Sequence, residues 1–263
     1  MKLTMVEFKS WQSYRQFARD VKTNFRYLRS EDSEDFLQTV LATSADRKAK
    51  IESGHTFWRA QLGHDWITEK QDGHEFEVPC PHSPSRMKPL ANRAKEGRAN
   101  PKGLPYLYLA TSPETAMSEA RPWLGSYVSV GAFKVQRNLT VIACFSDPNQ
   151  STGIDIYWEE PSPQERQEAV WAAINSAFSE PLDRSDDVAE YVPTQVIAEL
   201  FKREGYDGIV YKSAFGEKGY NICLFDVDAA VLNYCRLHEV KSANFDFGEH
   251  VDAYGIKSET KSD

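Results

Sequence analysis

Three residues of this chain stand where their side chains could do chemistry. Arg59 closes the mostly apolar run His55-Thr-Phe-Trp-Arg-Ala. A guanidinium at a strand end suits phosphate oxygens, because its planar fork matches them and it stays charged. The plainer alternative is an edge-strand charge turned to water. Glu119 falls at the far end of the helix expected over Pro113–Glu119, where a carboxylate opposes the helix dipole. Glu114, in the first turn, is explained by that same dipole, so Glu119 is the less comfortable acid and the better functional candidate. Ser213 follows Gly205-Tyr-Asp-Gly-Ile-Val-Tyr-Lys. Its hydroxyl either stabilises a Gly-flanked turn or lines a pocket.

The common signatures of other chemistries are missing. No G-x-G-x-x-G or G-x-x-x-x-G-K-S/T cradle for a nucleotide occurs. Neither does an H-E-x-x-H metal helix or a G-x-S-x-G nucleophile elbow. His74, Cys80 and His82 lie close together, but no fourth ligand sits at a zinc spacing. A solvated loop is the expectation there, and no metal is expected.

The elements that must position these residues can be read from periodicity. Phe8, Trp11, Tyr14, Phe17, Val21, Phe25 and Leu28 recur at intervals of three and four, the stripe of an amphipathic helix. Ser30-Glu-Asp-Ser breaks it, and a second helix is predicted over Glu34–Ile51 with Ser33 as N-cap. The pair reads as an α-hairpin whose apolar stripe packs on the main domain, with a partner surface as the alternative. Strands are predicted at His55–Gln61, Tyr106–Ala110, Tyr127–Val135, Leu139–Phe145, Gly208–Lys212 and Asn221–Phe225. Gly63 to Arg98 is polar and aperiodic, and is expected to be a long loop or flap. Helices are predicted at Pro113–Glu119, capped by Ser112 or Thr111, at Pro161–Ser179, with a Ser162/Glu165 capping box, and at Thr194–Glu204, stopped by Gly205. The tail after Gly255 reads as frayed. Helices and unevenly spaced strands in this order indicate an α+β fold.

Composition narrows the partners. The chain has 263 residues, with 31 Lys and Arg against 39 Asp and Glu, a net charge of −8. That balance disfavours nucleic acid and anionic membrane, both of which are held first through Lys and Arg. A local basic pocket remains compatible with it. The longest apolar run, near Val141–Phe145, is far short of the roughly 20 residues a membrane span needs. Glu7, Lys9 and Arg15 interrupt any export signal, so the four cysteines read as reduced thiols and the location as cytoplasmic.

Three segments taken in order carry a resemblance. They are His55-Thr-Phe-Trp-Arg59, the block Gly97-Arg98-Ala-Asn-Pro with Leu-Tyr108-Leu-Ala-Thr-Ser-Pro-Glu-Thr-Ala through Glu119, and Gly205-Tyr-Asp-Gly-Ile-Val-Tyr-Lys-Ser213 with Tyr-Asn221-Ile-Cys-Leu-Phe. Together, over roughly Gly54 to Leu232, they resemble the RES domain, named for its Arg, Glu and Ser. The resemblance implies an ADP-ribosyltransferase-like split β-sheet with flanking helices, here with an N-terminal α-hairpin extension. It divides the chain into residues 1–53, a RES domain over 54–235, and a C-terminal strand and tail over 236–263. It implies an enzyme that consumes NAD+ as substrate, by phosphorolysis or hydrolysis of the nicotinamide bond, and inorganic phosphate as a co-substrate in the first case. Many members are toxins neutralised by an antitoxin protein that blocks the cleft. The family's Arg, Glu and Ser fall on Arg59, Glu119 and Ser213 as catalytic residues, with Tyr108, Arg98 and Asn221 as substrate-binding residues. Ala99 stands where the family often has an aromatic. Two alternatives stay open: a protein ADP-ribosyltransferase, and an inactive module that binds NAD or ADP-ribose.

Overall fold

The computed structural model describes residues 6–90, 93–145, 161–180, 188–215 and 219–244. The expected frayed tail after Gly255 lies outside them.

Two helices come first, α1 (Ser13–Thr23) and α2 (Glu31–Thr43). The predicted stripe is partly realised. Phe8, Phe17 and Val21 of the first segment and Phe36, Leu37 and Val40 of the second are buried in one apolar cluster. The helix stops at Thr23, however, so Phe25 and Leu28 leave the stripe and are 56% and 85% exposed. Asp20 fixes the connection by accepting hydrogen bonds from the hydroxyls of Ser30 and Ser33, both at 2.6 Å.

The second helix starts earlier and ends sooner than predicted. Ser30, and not Ser33, is its N-cap, accepting from the Ser33 amide. After a short 3₁₀ turn at residues 44–47 the chain becomes strand β1 (Lys48–Ile51). Lys48-Ala49-Lys50-Ile51 alternates polar and apolar, which is a strand period. Ala49 and Ile51 pack against the core while both lysines face out.

The strands β2 (Thr56–Leu62), β5 (Leu107–Ala110), β6 (Tyr127–Val135), β7 (Leu139–Ala143), β8 (Gly208–Lys212), β9 (Tyr220–Leu224) and β10 (Ala230–Glu239) join β1 in one sheet. Its order is β1-β7-β8-β9-β5-β2-β6-β10. Between β5 and β2 the pairing is a single residue pair, Trp58 with Ala110. All other neighbours pair over three residues or more. The sheet is therefore split there into a five-stranded and a three-stranded half.

Alternation along the strands buries both faces of the five-stranded half. Tyr106, Ile209, Tyr211 and Cys223 enter a cluster with residues of α1, α2, α5 (Pro163–Ser179) and α6 (Val192–Arg203). Leu107, Leu109, Ile222 and Leu224 enter another, shared with Phe57, Phe133 and Val135 of the three-stranded half. One shared core thus holds the two halves together although the backbone ladder between them is nearly absent.

The segment 63–98 differs most from expectation. It forms a hairpin, β3 (Asp65–Gln71) and β4 (His74–Cys80), paired antiparallel from Asp65 with Cys80 to Gln71 with His74, followed by the one-turn helix α3 (Pro84–Met87). The turn is Asp72-Gly73, with φ of 52° and 82°. Positive φ at both central residues gives the twist a two-residue hairpin needs. His82 anchors the hairpin's base: its ring nitrogens lie 3.0 Å from an Asp65 carboxylate oxygen and 3.1 Å from the Leu62 carbonyl.

Helix α4 (Pro113–Glu119) matches its predicted span, and Ser112 is its cap, accepting from the Thr115 amide at 3.0 Å. Replacing Ser112 by Ala should cost about 1 kcal/mol, read as a lower midpoint in urea. An unchanged midpoint would show that the cap contributes nothing here. The capping box at Ser162 and Glu165 is formed as predicted.

Candidate active site

The split between β2 and β5 opens a cleft of about 170 Å³, lined by Trp58 and Arg59 of β2, Tyr108 of β5, Glu119 of α4, Tyr211 of β8 and Asn221 of β9, among others. Strand register explains the convergence. Asn221 is opposite both Ala110 and Tyr211, and Ala110 is opposite Trp58, so these positions form one row across the sheet. Glu119 enters from above that row because α4 directly follows β5.

Glu119 is held by two donors. Its Oε1 accepts from Ser213 Oγ at 2.7 Å and from Asn221 Nδ2 at 2.6 Å. Both partners are nearly buried, at 5% and 7% exposure, while Glu119 itself is exposed. Its second oxygen makes no hydrogen bond among the described residues. These bonds offset the unfavourable dipole position noted from the sequence, and they aim one free carboxylate oxygen.

Ser213 does not line the cleft. Its hydroxyl also accepts from the Phe215 amide at 3.0 Å, which makes a tight turn of the kind the sequence allowed. Of the two readings of Ser213 the turn hydroxyl is the one formed, and the same hydroxyl reaches the acid. Gly219 completes the fit. A Cβ there would lie 2.5 Å from Thr115 Oγ1 of α4, so only glycine lets the backbone approach the helix so closely at this position. Arg121, at a φ of 48°, lies over the Phe215 ring at 5.4 Å and links the end of α4 to the same turn.

Arg59 faces the cleft with few partners. Its Nη1 donates to the Tyr108 carbonyl at 3.3 Å, and its Nε is buried without a hydrogen-bond partner among the described residues. No carboxylate lies within 4.0 Å of it among the described residues. Burial lowers its pKa by penalising the charged form, and a bound anion would offset that penalty.

Tyr108 is fixed by its hydroxyl, which donates to Asn100 Oδ1 at 2.7 Å and accepts from the Ala99 amide at 2.9 Å. Burial, with Cys223 and Tyr211 adding to it, raises its pKa well above the ordinary tyrosine value, so the hydroxyl stays protonated and keeps donating. The 96–100 loop that receives it is held in turn by Gln195 of α6. Gln195 Nε2 lies 3.0 Å from Glu96 Oε1, 3.0 Å from the Gly97 carbonyl and 3.1 Å from the Asn100 carbonyl.

Arg98 is placed apart from the other five. It does not line the cleft. Its Nη1 donates to the Ala177 carbonyl in the last turn of α5 at 2.9 Å, and its guanidinium lies 5.9 Å from the Tyr191 ring centre. A cation there suits the negative end of the helix. The structure thus brings Arg59, Tyr108, Glu119, Ser213 and Asn221 together and sets Arg98 behind them.

Sequence reasoning missed Trp58, Tyr211 and Gln195. Trp58 and Tyr211 lie in predicted strands, where alternation alone does not separate an aromatic that lines a cleft from one that packs in the core. Gln195 sits in a segment singled out from the sequence, but nothing in its spacing tells of a loop nearly a hundred residues away.

Among the described residues no group of three or more His, Cys, Asp or Glu side chains is placed to hold a metal ion. His82 of the weighed cluster is engaged by Asp65 and Leu62. The four cysteines are free thiols. No helix among the described residues is long and apolar enough to cross a membrane.

Comparison with known proteins gives two findings. The RES domain family model matches residues 56–247. Among solved structures, a chain in the crystal structure of the M. tuberculosis MbcT-MbcA toxin-antitoxin complex is similar at 18% identity. The match covers 73% of this chain and 87% of that chain, with a TM-score of 0.38. No curated protein matches.

Proposed function

The chain belongs to the RES domain family, and from that membership we propose that it cleaves the nicotinamide N-glycosidic bond of NAD+ and acts as the toxin of a toxin–antitoxin pair. The observation that carries the reading is the Glu119 carboxylate, clamped by Ser213 and Asn221 in a cleft whose wall is an arginine without a carboxylate partner among the described residues.

The chemistry follows from those parts. The glycosidic bond breaks through an oxocarbenium-like transition state in which positive charge develops on the ribose. Nicotinamide leaves as a neutral molecule, taking the bonding electron pair with it, so no strong general acid is required. A carboxylate close to the ribose stabilises the developing charge and accepts a hydrogen bond from a ribose hydroxyl. Glu119 has one oxygen free for this. Arg59 binds the pyrophosphate, and the Tyr108 ring forms the wall against which the nicotinamide riboside rests. Ser213 and Asn221 are positioning residues for the acid. Arg98 and Gln195 act further back, by fixing the loop that fixes Tyr108.

Ser213 gives a graded test of its role. Ser213→Ala removes one of two donors to Glu119 and should lower kcat by about tenfold, the worth of one hydrogen bond to a charged group at the low end of its range. The KM for NAD+ should barely move. A rise in KM with kcat unchanged would mean that Ser213 touches substrate directly.

The acceptor is set by following the ADP-ribose product from labelled NAD+. We expect free ADP-ribose with water alone and a phosphorylated ADP-ribose when inorganic phosphate is supplied. Label appearing on protein instead would favour a protein ADP-ribosyltransferase. Expression of the chain alone should arrest growth, and expression of Glu119→Gln should not.

A further inference from the structure

A second cavity, of about 530 Å³, adjoins the Glu119 cleft at Arg59 and Tyr108, which line both. That volume is within the roughly 300–1,000 Å³ of small-molecule sites, whereas the Glu119 cleft alone is below it. The second cavity is cationic. Arg59, Arg86, Lys88, Arg93 and Lys95 line it, and among the described residues no aspartate or glutamate does. Arg86 and Lys88 are matched by Asp65 and Asp228, each at 3.1 Å. Arg59, Arg93 and Lys95 have no carboxylate within 4.0 Å among the described residues. One polar group of its lining is also unsatisfied: among the described residues Arg59 Nε is buried without a hydrogen-bond partner. Buried polar groups are normally paired, so Arg59 is suited to a ligand.

On the reading that NAD+ is the substrate class, its nicotinamide riboside occupies the Glu119 cleft and its pyrophosphate lies at Arg59. The adenosine half then enters the second cavity. Arg93 and Lys95 line this cavity and not the Glu119 cleft, so they stand beyond the pyrophosphate. An unmodified adenosine offers them no negative charge. A phosphomonoester on its ribose does, with about −1.5 to −2 charges at neutral pH. We propose that this cavity is a further phosphate subsite and that the chain prefers a nicotinamide dinucleotide phosphorylated on its adenosine ribose, NADP+, over NAD+. An acidic protein with a net charge of −8 that concentrates unmatched cations in one cavity is selective for a small polyanion over a polymeric one.

The test compares kcat/KM for NADP+ and NAD+ in the full chain and in a variant carrying Arg93→Ala with Lys95→Ala. In parallel, calorimetry compares binding of adenosine 2′,5′-bisphosphate with that of adenosine 5′-monophosphate. We expect NADP+ to be preferred by about tenfold or more, and the bisphosphate to bind tighter by a similar factor, one charged hydrogen bond's worth. In the double variant both ratios should fall towards one. Both side chains are exposed, so folding is not at stake. A wild-type ratio at or below one, or a double variant that leaves both ratios unchanged, overturns the proposal. If neither dinucleotide is cleaved, the NAD-consuming reading fails, and the calorimetric ratio still decides the subsite.

Discussion

Glu119→Gln should lower kcat for nicotinamide release by about a hundred- to a thousand-fold, the range for removing one preorganised electrostatic group from a transition state. The substitution is chosen for its shape. Glutamine keeps a carbonyl oxygen where Glu119 Oε1 now accepts from Ser213 and Asn221. The clamp and the fold can therefore persist while the charge disappears. Glu119 is exposed and makes no ion pair among the described residues, so thermal stability should be unchanged. KM for the dinucleotide should change less than kcat, because the carboxylate acts mainly on charge that exists only as the bond breaks and its hydrogen bond to a ribose hydroxyl is the smaller part. A Glu119→Gln protein with full turnover would remove the acid from the mechanism.

Arg59→Met should act on binding instead. Losing the charged hydrogen bonds to a pyrophosphate should raise KM by about ten- to a hundred-fold, at roughly 1.5–3 kcal/mol per bond. The free protein should respond in the other direction. Arg59 now holds a desolvated charge, and among the described residues its Nε lacks a partner and its one hydrogen bond is to a backbone carbonyl. Replacing an uncompensated buried charge by an apolar side chain of similar length is often neutral or stabilising. We therefore expect a thermal midpoint equal to or above that of the natural chain, together with the higher KM. An unchanged KM would place the pyrophosphate elsewhere. A steep loss of stability would mean that Arg59 serves the fold and not the ligand.

Much of the fold could be read from the chain because local signals agreed with tertiary demands. Tyr127–Val135 and Pro113–Glu119 came out with the predicted bounds, since alternation in one and a Ser cap with Pro behind it in the other leave few options. Two failures have definite physical causes. The Lys48–Ile51 strand merges with the preceding helix in the sequence pattern because four residues carry too little periodicity against thirteen. The β3–β4 hairpin escapes prediction because nearly all of it is exposed, Trp66, Ile67 and Phe76 included, so no apolar face alternates against a buried one. Its Asp72-Gly73 turn was the available signal.

The site was legible in a different way. Arg59 and Glu119 could be questioned individually, from a strand end and a helix end. What brought them together was the resemblance, not spacing, since about sixty residues separate them. The clamp on Glu119 could not be foreseen at all. Ser213 and Asn221 lie about a hundred residues further on, and only the register of β8 against β9 and the tight packing of Gly219 on α4 put them beside the acid. Arg98 shows the converse. Its sequence neighbourhood resembles the family's loop, yet its guanidinium is spent on the end of α5.

The most direct test of the whole account is nicotinamide release from the dinucleotide by the purified chain, with Glu119→Gln measured beside it. The account predicts one nicotinamide freed for each dinucleotide consumed by the natural chain, and release slowed by about a hundredfold or more in the variant. No release from NAD+ or NADP+ at high protein concentration, or equal release by the two proteins, would contradict it.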